Sequence, residues 1–262
     1  MEPDVKVFWL PKHGNSVEEY EDASAYSGNL FAVADGATES SFADCWAQGL
    51  VKKFVNDPPA GNTAASVPLE QWLAPLQKEW HGAIPWDKLP WYAEEKARSG
   101  AFAAFLGLQI LDDGASRRGF SLFNFFRGKA GRKWRALAVG DSNLFQIRGD
   151  QLVRAFPLER ADQFNSRPLL LSSNPARNNP VWQRMQVTEG EIESGDVFLL
   201  ATDSLAQWFL ARHEAGKKPW QDLSELKSAE DFAKFIDARR TESALRNDDM
   251  TLVVSQWKNH HS

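Results

Sequence analysis

The sequence has only one cysteine, Cys45, among its 262 residues. Its spacing from the apolar residues of segment 40–55 places it on the core face of a predicted helix, so we expect it to serve packing and not catalysis. A single thiol excludes an intrachain disulfide framework, and it excludes zinc or iron–sulfur sites that need several thiolates from one chain. The first residues carry an acid where a secretory signal peptide carries basic charge. We therefore expect a cytoplasmic protein in a reducing environment.

Long hydrophobic runs and an excess of basic charge are also missing. The longest apolar stretch, residues 101–111, is shorter than the roughly 20 residues that span a bilayer, so we expect no membrane span. The formal net charge of −5 argues against nucleic-acid binding, which depends on Lys and Arg neutralising phosphates. The histidines show no HExxH or similar spacing, so the sequence does not predict a zinc hydrolase.

Helix-like and strand-like segments occur in blocks, without an internal repeat or a linker long enough to separate two domains. We expect one domain over residues 1–262, with an α+β layered fold, because hairpins outnumber crossover units. Predicted helices cover residues 40–55, 91–106, the segment after Asp203 and residues 225–240, with only short helical pieces in 61–90. Predicted strands cover residues 29–34, 135–139, 144–147, 152–156, 197–202 and 250–257.

Three apolar strands end on an aspartate, namely Asp35, Asp141 and Asp203, and a fourth strand follows the pair Asp248-Asp249. Aspartate is common where strands turn, so each residue alone also fits an ordinary turn. If the strands are neighbours, however, their carboxylates meet at one edge of the core. Clustered carboxylates repel each other and need raised pKa values or a compensating cation, and Mg²⁺ and Mn²⁺ prefer oxygen ligands.

Five short acidic motifs follow one another along the chain. They are Glu21-Asp22-Ala23, Asp35-Gly36, Gly140-Asp141-Ser142, Ala201-Thr202-Asp203 and Asp248-Asp249-Met250-Thr251. In this order they resemble the acidic motifs of the protein phosphatase 2C family, the metal-dependent serine/threonine phosphatases, in a divergent bacterial-type form. The resemblance covers essentially the whole chain, and the segment from Gly100 resembles the helix that follows the first acidic strand pair in that family.

The resemblance implies a four-layer α-β-β-α sandwich, with two antiparallel sheets flanked by helices and two metal ions in a cleft at one end. It implies that Asp35 bridges two Mn²⁺ or Mg²⁺ ions, that the Gly36 carbonyl binds one of them, and that Asp203 and Asp248 hold the other. Asp35, Asp203 and Asp248 are thus the candidate catalytic residues. Water activated by the two ions would then hydrolyse phosphoserine or phosphothreonine.

The remaining acidic positions have supporting functions in this comparison. Glu21 and Asp22 would act through water on the metals, and Asp141 would help to hold a third ion. Asp249 stands where the family often has Asn, so we expect it to support the ligands without being one.

Several positions depart from the family pattern. Ala37 follows Asp35-Gly36 where many members have a histidine that protonates the leaving group, and Val17 stands where eukaryotic relatives have a phosphate-binding arginine. Lys12 or His13 is a candidate replacement for that arginine, although each also fits an ordinary loop residue. These departures leave the metal ligands intact and affect substrate binding and rate.

Two further segments have unusual composition. Residues 116–135 combine Arg and Lys with interleaved aromatic residues and contain no acid, which fits either a solvated hairpin or a docking surface for an acidic or phosphorylated partner or for anionic lipid. Residues 161–184 are rich in Asn, Pro and Arg, and they fit either a surface loop or the flap that family members fold beside the metal cleft.

Two rival functions use the same residues. The first is a catalytically weak or inactive pseudophosphatase that binds a kinase or phosphoprotein, which Ala37 and Val17 favour. The second is a serine esterase, since Gly140-Asp141-Ser142 resembles the GDSL block, although that block usually lies near the N-terminus. For the phosphatase we expect a monomer whose partner is a phosphorylated protein, namely a cognate Ser/Thr kinase or its target.

Overall fold

A computed structural model describes residues 2–59, 69–111, 132–165 and 167–258. Its helices are α1 (Ala43–Asn56), α2 (Leu69–Ala83), α3 (Trp91–Arg98), α4 (Asn179–Arg184), α5 (Asp203–Glu214), α6 (Pro219–Ser224) and α7 (Ala229–Thr241). Its strands are β1 (Glu2–Leu10), β2 (Ala23–Ser27), β3 (Leu30–Gly36), β4 (Phe102–Leu111), β5 (Arg132–Val139), β6 (Asn143–Arg148), β7 (Gln151–Phe156), β8 (Leu171–Ser172), β9 (Gln186–Ile192), β10 (Val197–Ala201) and β11 (Met250–Lys258).

The strands form two sheets in which all neighbours are antiparallel. The first sheet, sheet A, has the order β1-β11-β10-β6-β7. The second sheet, sheet B, has the order β2-β3-β4-β5-β9, and β8 adds to β4. Most of these pairs join segments far apart in the sequence, so the sheets hold distant motifs in fixed register.

The two sheets pack against each other through large apolar side chains. In β10, Phe198 and Leu200 point to this inner layer, whereas the alternate residue Leu199 belongs to the outer face. Alternation follows from strand geometry, in which successive side chains lie on opposite faces. Because both faces are covered, the strand reads as a continuous apolar run. The inner layer includes Phe31, Val33, Leu106, Leu108, Trp134, Val253 and Trp257.

Helices cover the outer face of each sheet. Trp46 and Leu50 of α1 pack with Leu73 of α2 on the outer face of sheet B. On the other side, Phe209 of α5 stacks on Phe145 of sheet A with ring centroids 3.9 Å apart, and α6 and α7 contribute to the same cluster. The order of layers is therefore helices, sheet, sheet, helices, which confirms the α+β sandwich.

The predicted helix that begins at Trp91 was too long. It ends at Arg98, Gly100 follows with a φ of +95°, and residues 102–111 form strand β4, not the helix that the resemblance implied. The segment AFAAFLGL is buried on both faces and pairs with β3 and β5, so it shows no polar alternation in the sequence. A run of small apolar residues does not distinguish a buried strand from a helix.

The prediction for residues 61–90 was also wrong in part. Residues 69–83 form one helix that contains Pro75, where the sequence predicted only short helical pieces. Most of the basic and aromatic segment 116–135 lies outside the described residues, but Trp134 lies in the inner layer and serves packing. None of the helices in the described ranges combines the length and apolar character needed to cross a membrane.

Candidate functional site

The antiparallel register of sheet A brings three acidic segments to one edge. Ala201, at the end of β10, pairs with Leu252 near the start of β11 and with Asn143 at the start of β6. The chain therefore places Asp203, which follows β10, beside Asp248 and Asp141, which precede the other two strands.

Sheet B places two more acidic motifs at its own edge. Ala34 of β3 pairs with Ala23 of β2, so Asp35 near the end of β3 lies close to Asp22, which precedes β2. Gly36 has no space for a side chain, because a Cβ there would lie 2.5 Å from the carbonyl oxygen of Glu21. This close approach explains why a glycine follows the aspartate.

The carboxyl groups from both sheets form one electrostatic cluster. Burial, followed by repulsion from Asp22, Asp203, Asp141 and Asp248, raises the pKa of Asp35 well above its usual range. Burial and repulsion from Asp203 raise the pKa of Asp141 to about 7. Such shifts mean that the site favours a proton or another cation over uncompensated charge. The sequence prediction that these aspartates converge is thus supported by the geometry.

Asp22 and Asp203 show the same effect. Burial raises the pKa of Asp22, which is 3% exposed, although the hydroxyl of Thr251 donates to its Oδ2 at 2.8 Å. The hydroxyl of Tyr20 bonds to the Thr251 oxygen, so the pair orients the Asp22 carboxylate. Burial and the charge of Asp248 raise the pKa of Asp203. Glu21 is half-buried, and its pKa is raised mainly by burial.

Asp249 acts as a structural acceptor. Its carboxylate accepts hydrogen bonds from the backbone N–H groups of Lys12 and Glu21, each at 2.8 Å. It therefore joins the segment after β1 and the segment before β2 to the start of β11. That Asp249 supports the metal ligands without being one of them stays a prediction.

Two cations lie beside the cluster. The ammonium group of Lys12 lies 3.2 Å from Asp248 and 3.8 Å from Glu21, and it donates to the hydroxyl of Thr38 at 2.6 Å. The guanidinium of Arg246 lies 2.8 Å from Asp203. The sequence reasoning identified Lys12 as a candidate but missed Arg246, whose only signal was its position two residues before Asp248.

The other candidates have different surroundings. His13 is exposed, and the contacts described for it are backbone hydrogen bonds with the side chain of Asn247. Ser142 is buried, and within the described ranges its hydroxyl has no hydrogen-bond partner, so no base there activates it as the esterase hypothesis requires. Ala37 is held by a backbone hydrogen bond to Phe102 and supplies no acid.

The sequence reasoning about Cys45 was wrong in one respect. We expected its side chain on the buried face of α1, but the residue is exposed. Partial burial of the thiol and the neighbouring Asp44 carboxylate raise its pKa, so a catalytic thiolate is disfavoured there.

The acidic cluster offers oxygen donors of the kind that divalent cations prefer. Among the described residues, no group of three or more His, Cys, Asp or Glu side chains is already arranged to enclose an ion. The donors are all oxygens, their pKa values are raised by mutual repulsion, and the backbone at Gly36 approaches without a side chain. This donor set fits Mg²⁺ or Mn²⁺, and binding would require Lys12 and Arg246 to release Asp248 and Asp203.

Comparisons with known proteins support the fold. Neither a scan against protein-family models nor a search of curated proteins finds a match. The solved structure of the Mycobacterium tuberculosis serine/threonine phosphatase PstP/Ppp is 15% identical, with a TM-score of 0.62 over 99% of this chain and 100% of that chain. PppA from Pseudomonas aeruginosa, a key regulatory component of T6SS, is 18% identical, with a TM-score of 0.57 over 98% of both chains.

A second structure of PstP, its catalytic domain in complex with two manganese ions, is 14% identical. Its TM-score is 0.59 over 98% of this chain and 99% of that chain. These likenesses show that the chain has the fold of bacterial-type protein phosphatase 2C-like proteins, as the ordered motifs implied.

Proposed function

We propose that the chain is a metal-dependent phosphatase that acts on phosphoserine or phosphothreonine in proteins. The observation that carries this proposal is the convergence of Asp35, Asp203 and Asp248 from two sheets, with pKa values raised for Asp35 and Asp203. Similarity to PstP, which binds two manganese ions, supports the choice of cofactor. Two Mn²⁺ or Mg²⁺ ions, with a third at Asp141, would supply Lewis acidity for water activation and charge stabilisation at the phosphoryl group.

The chain's own residues have distinct functions in this proposal. Asp35, the Gly36 carbonyl, Asp203 and Asp248 would hold the cofactor, while Glu21 and Asp22 would orient water at its edge. Lys12 is proposed to bind the substrate phosphate. Its ammonium group lies beside the Asp248 carboxylate and donates a hydrogen bond to the Thr38 hydroxyl. His13 is a weaker candidate for this contact because the residue is exposed and the contacts described for it are made by its backbone.

The substrate would be a phosphorylated protein, and the partner a cognate Ser/Thr kinase or its target. We propose one domain over the whole chain, acting as a monomer in the cytoplasm. Because Ala37 offers no proton to the leaving group, we expect slower turnover of alkyl phosphates than of aryl phosphates, whose leaving groups need less protonation.

Hydrolysis of a chromogenic aryl phosphate tests the proposal. Activity should require Mn²⁺ or Mg²⁺, disappear with a chelator, and fall by at least about a hundredfold in Asp35→Asn and Asp203→Asn, since each change removes an anionic ligand. Asp87→Asn, an exposed aspartate on the turn Trp86–Lys88, is the matched control and should retain activity. Calorimetric Mn²⁺ binding should weaken in the same two variants. Wild-type rates in both variants would contradict the proposal.

A second candidate is a pseudophosphatase that binds a phosphoprotein without hydrolysing it. The ion pairs of Lys12 with Asp248 and of Arg246 with Asp203 favour it, because each cation partly replaces a metal at its carboxylate. A pseudophosphatase should bind a phosphopeptide in calorimetry and show no turnover at any Mn²⁺ or Mg²⁺ concentration. An active phosphatase shows metal-dependent turnover in the same samples.

A further inference from the structure

The two cations beside the acidic cluster differ in how firmly they are held. The ammonium group of Lys12 contacts two carboxylates and a hydroxyl group, and its side chain is 20% exposed. The guanidinium of Arg246 has one hydrogen-bonding partner in the ranges that the structure describes, the Asp203 carboxylate, and its side chain is 50% exposed. Arg246 is therefore the cation that can leave the cluster with the smaller loss of contacts.

The backbone on both sides of Arg246 is fixed to the rest of the fold. Leu245 is 6% exposed and packs in the apolar cluster between sheet A and its helices. The Asn247 side chain makes two hydrogen bonds with the backbone of His13. The Arg246 carbonyl oxygen accepts from the N–H of Asp248 at 3.1 Å. These contacts leave the half-exposed side chain of Arg246 as the part of this segment that can move.

The charge of Arg246 acts on the carboxylates at the edge of sheet A. Burial raises the pKa of Asp203 and of Asp141, and neighbouring carboxylates raise it further, whereas the guanidinium of Arg246 opposes both shifts. One oxygen of Asp203 accepts from Arg246 and the other accepts from the backbone N–H of Ser204. A metal ion that coordinates this carboxylate must displace the guanidinium, because two cations at one oxygen repel each other.

We infer that Arg246 is an internal competitor of the metal cofactor at Asp203. In the metal-free protein its guanidinium supplies part of the positive charge that the carboxylates need, and Mn²⁺ or Mg²⁺ displaces it on binding. Arg246 therefore raises the concentration of divalent cation that is needed to fill the cluster. This inference rests on the proposed function and extends it to the regulation of the same site.

Calorimetric titration of the metal-free protein with Mn²⁺ tests this inference. Arg246→Gln removes the competing cation and should tighten Mn²⁺ binding by about three- to tenfold, since the pair lies between the weak ion pairs of the surface and the stronger ones of the interior. Arg246→Met, a second neutral replacement, should give the same result. The titrations are done at a pH of about 8, where protons compete less with the metal for raised carboxylates than at neutral pH.

Arg212→Gln is the matched control. Arg212 is exposed on α5, the helix that begins at Asp203, and the change removes the same charge without removing a partner of that carboxylate. Nine residues of helix separate the two positions by about 13 Å, which exceeds the Debye length of about 8 Å at physiological ionic strength. The Mn²⁺ affinity of this variant should therefore stay within about twofold of the wild-type affinity.

A double-mutant cycle with Asp203→Asn locates the competition. In the Asp203→Asn background the metal has lost a ligand and Arg246 has lost its anionic partner. Adding Arg246→Gln to this background should therefore tighten Mn²⁺ binding by less than about twofold, since the coupling between the two side chains is already gone.

Unchanged or weaker Mn²⁺ binding in Arg246→Gln would overturn the inference, and so would an equal gain in the Asp203→Asn background. Absence of Mn²⁺ binding in both the wild type and Arg246→Gln would overturn it as well, because removal of the competitor should expose the site. The proposed function fails separately, if protein that binds Mn²⁺ in calorimetry shows no metal-dependent hydrolysis of the aryl phosphate.

Discussion

Gly36 shows how a single residue limits the geometry of the cluster. A Cβ at this position would lie 2.5 Å from the Glu21 carbonyl oxygen and 3.1 Å from the Ala43 carbonyl oxygen. Both atoms belong to the backbone, so neither can move as a flexible side chain would. The end of β3, which carries Asp35, is therefore held against the segment before β2 only while position 36 is a glycine.

We expect Gly36→Ala to destabilise the protein by about 1–3 kcal/mol, because the added methyl group forces the backbone apart. It should also weaken calorimetric Mn²⁺ binding, since Asp35 moves with its strand. The control is Gly82→Ala, at an exposed position of α2 where a Cβ meets nothing within 4 Å. That change should alter the free energy of unfolding by at most about 1 kcal/mol, in the stabilising direction. Equal effects of the two changes in urea unfolding would contradict this explanation.

Single residues also show where sequence reasoning stopped. The aspartates could be predicted to converge because each one ends or precedes an apolar run. The contact between Tyr20 and Thr251 joins residues 231 positions apart, and no local pattern indicates it. Arg246 was missed for a similar reason, since an arginine near acidic residues is common and only the fold places it beside Asp203.

At the scale of elements, an ion pair between half-buried Arg148 and buried Asp196 joins β6 to the turn before β10. Asp196 is fully buried, and its carboxylate accepts from Arg148, from the side chain of Gln146 and from the backbone N–H of Glu193. Burial opposes ionisation of Asp196, but these hydrogen bonds outweigh it and lower the pKa. Arg148 therefore supports a charge that the core could not hold alone.

We expect Arg148→Ala to cost about 3–5 kcal/mol of unfolding free energy, because it leaves a buried carboxylate without its cation. Arg154→Ala is the matched control, an exposed arginine on the adjacent strand β7, and it should change stability by no more than about 0.5 kcal/mol. Denaturant unfolding of both variants measures the difference. If the two changes cost the same, the ion pair does not stabilise this edge of sheet A.

The strands differ in how well the sequence predicts them. β6, β7, β10 and β11 were predicted because turn residues such as Gly149 and Gly195 bound short apolar runs. β4 was missed because helices cover one face and sheet A covers the other, so its residues are apolar throughout. The packing of α1 on β4 also depends on tertiary structure, since the ring of Phe54 occupies the space where Gly107 has no side chain.

At the scale of the whole molecule, strand pairing in the two sheets holds the acidic segments together although their carboxylates repel each other. Apolar burial between the sheets and under both helical layers opposes this repulsion. The inner layer includes Trp134, Phe198 and Trp257, each of which is fully buried. The cost of charge in the cluster should therefore appear as a pH-dependent loss of global stability when no divalent cation is bound.

Asp141 determines the direction of that dependence. Its usual pKa of 3.8 is raised to about 7 in the folded protein, first by burial and then by Asp203. Between these values the folded state keeps a proton that the unfolded state releases, so stability falls as pH rises. Asp22, Asp35 and Asp203 shift in the same direction. The lowered pKa of Asp196 acts in the opposite direction, but only at pH values below 3.8.

We therefore expect the metal-free protein to unfold at a higher temperature at a pH of about 5.5 than at a pH of about 8, with each pKa unit contributing on the order of 1 kcal/mol. Saturating Mn²⁺ should remove most of this difference, because the cation stabilises the ionised carboxylates that otherwise need protons. Asp141→Asn should make the metal-free profile less steep, since it removes one of the titrating groups and its repulsion of Asp35. Scanning calorimetry at both pH values measures these effects. A metal-free protein that gains stability as the pH rises across this range would contradict this prediction. It would show that the ion pairs of Lys12 with Asp248 and of Arg246 with Asp203 are enough to compensate the charges of the cluster.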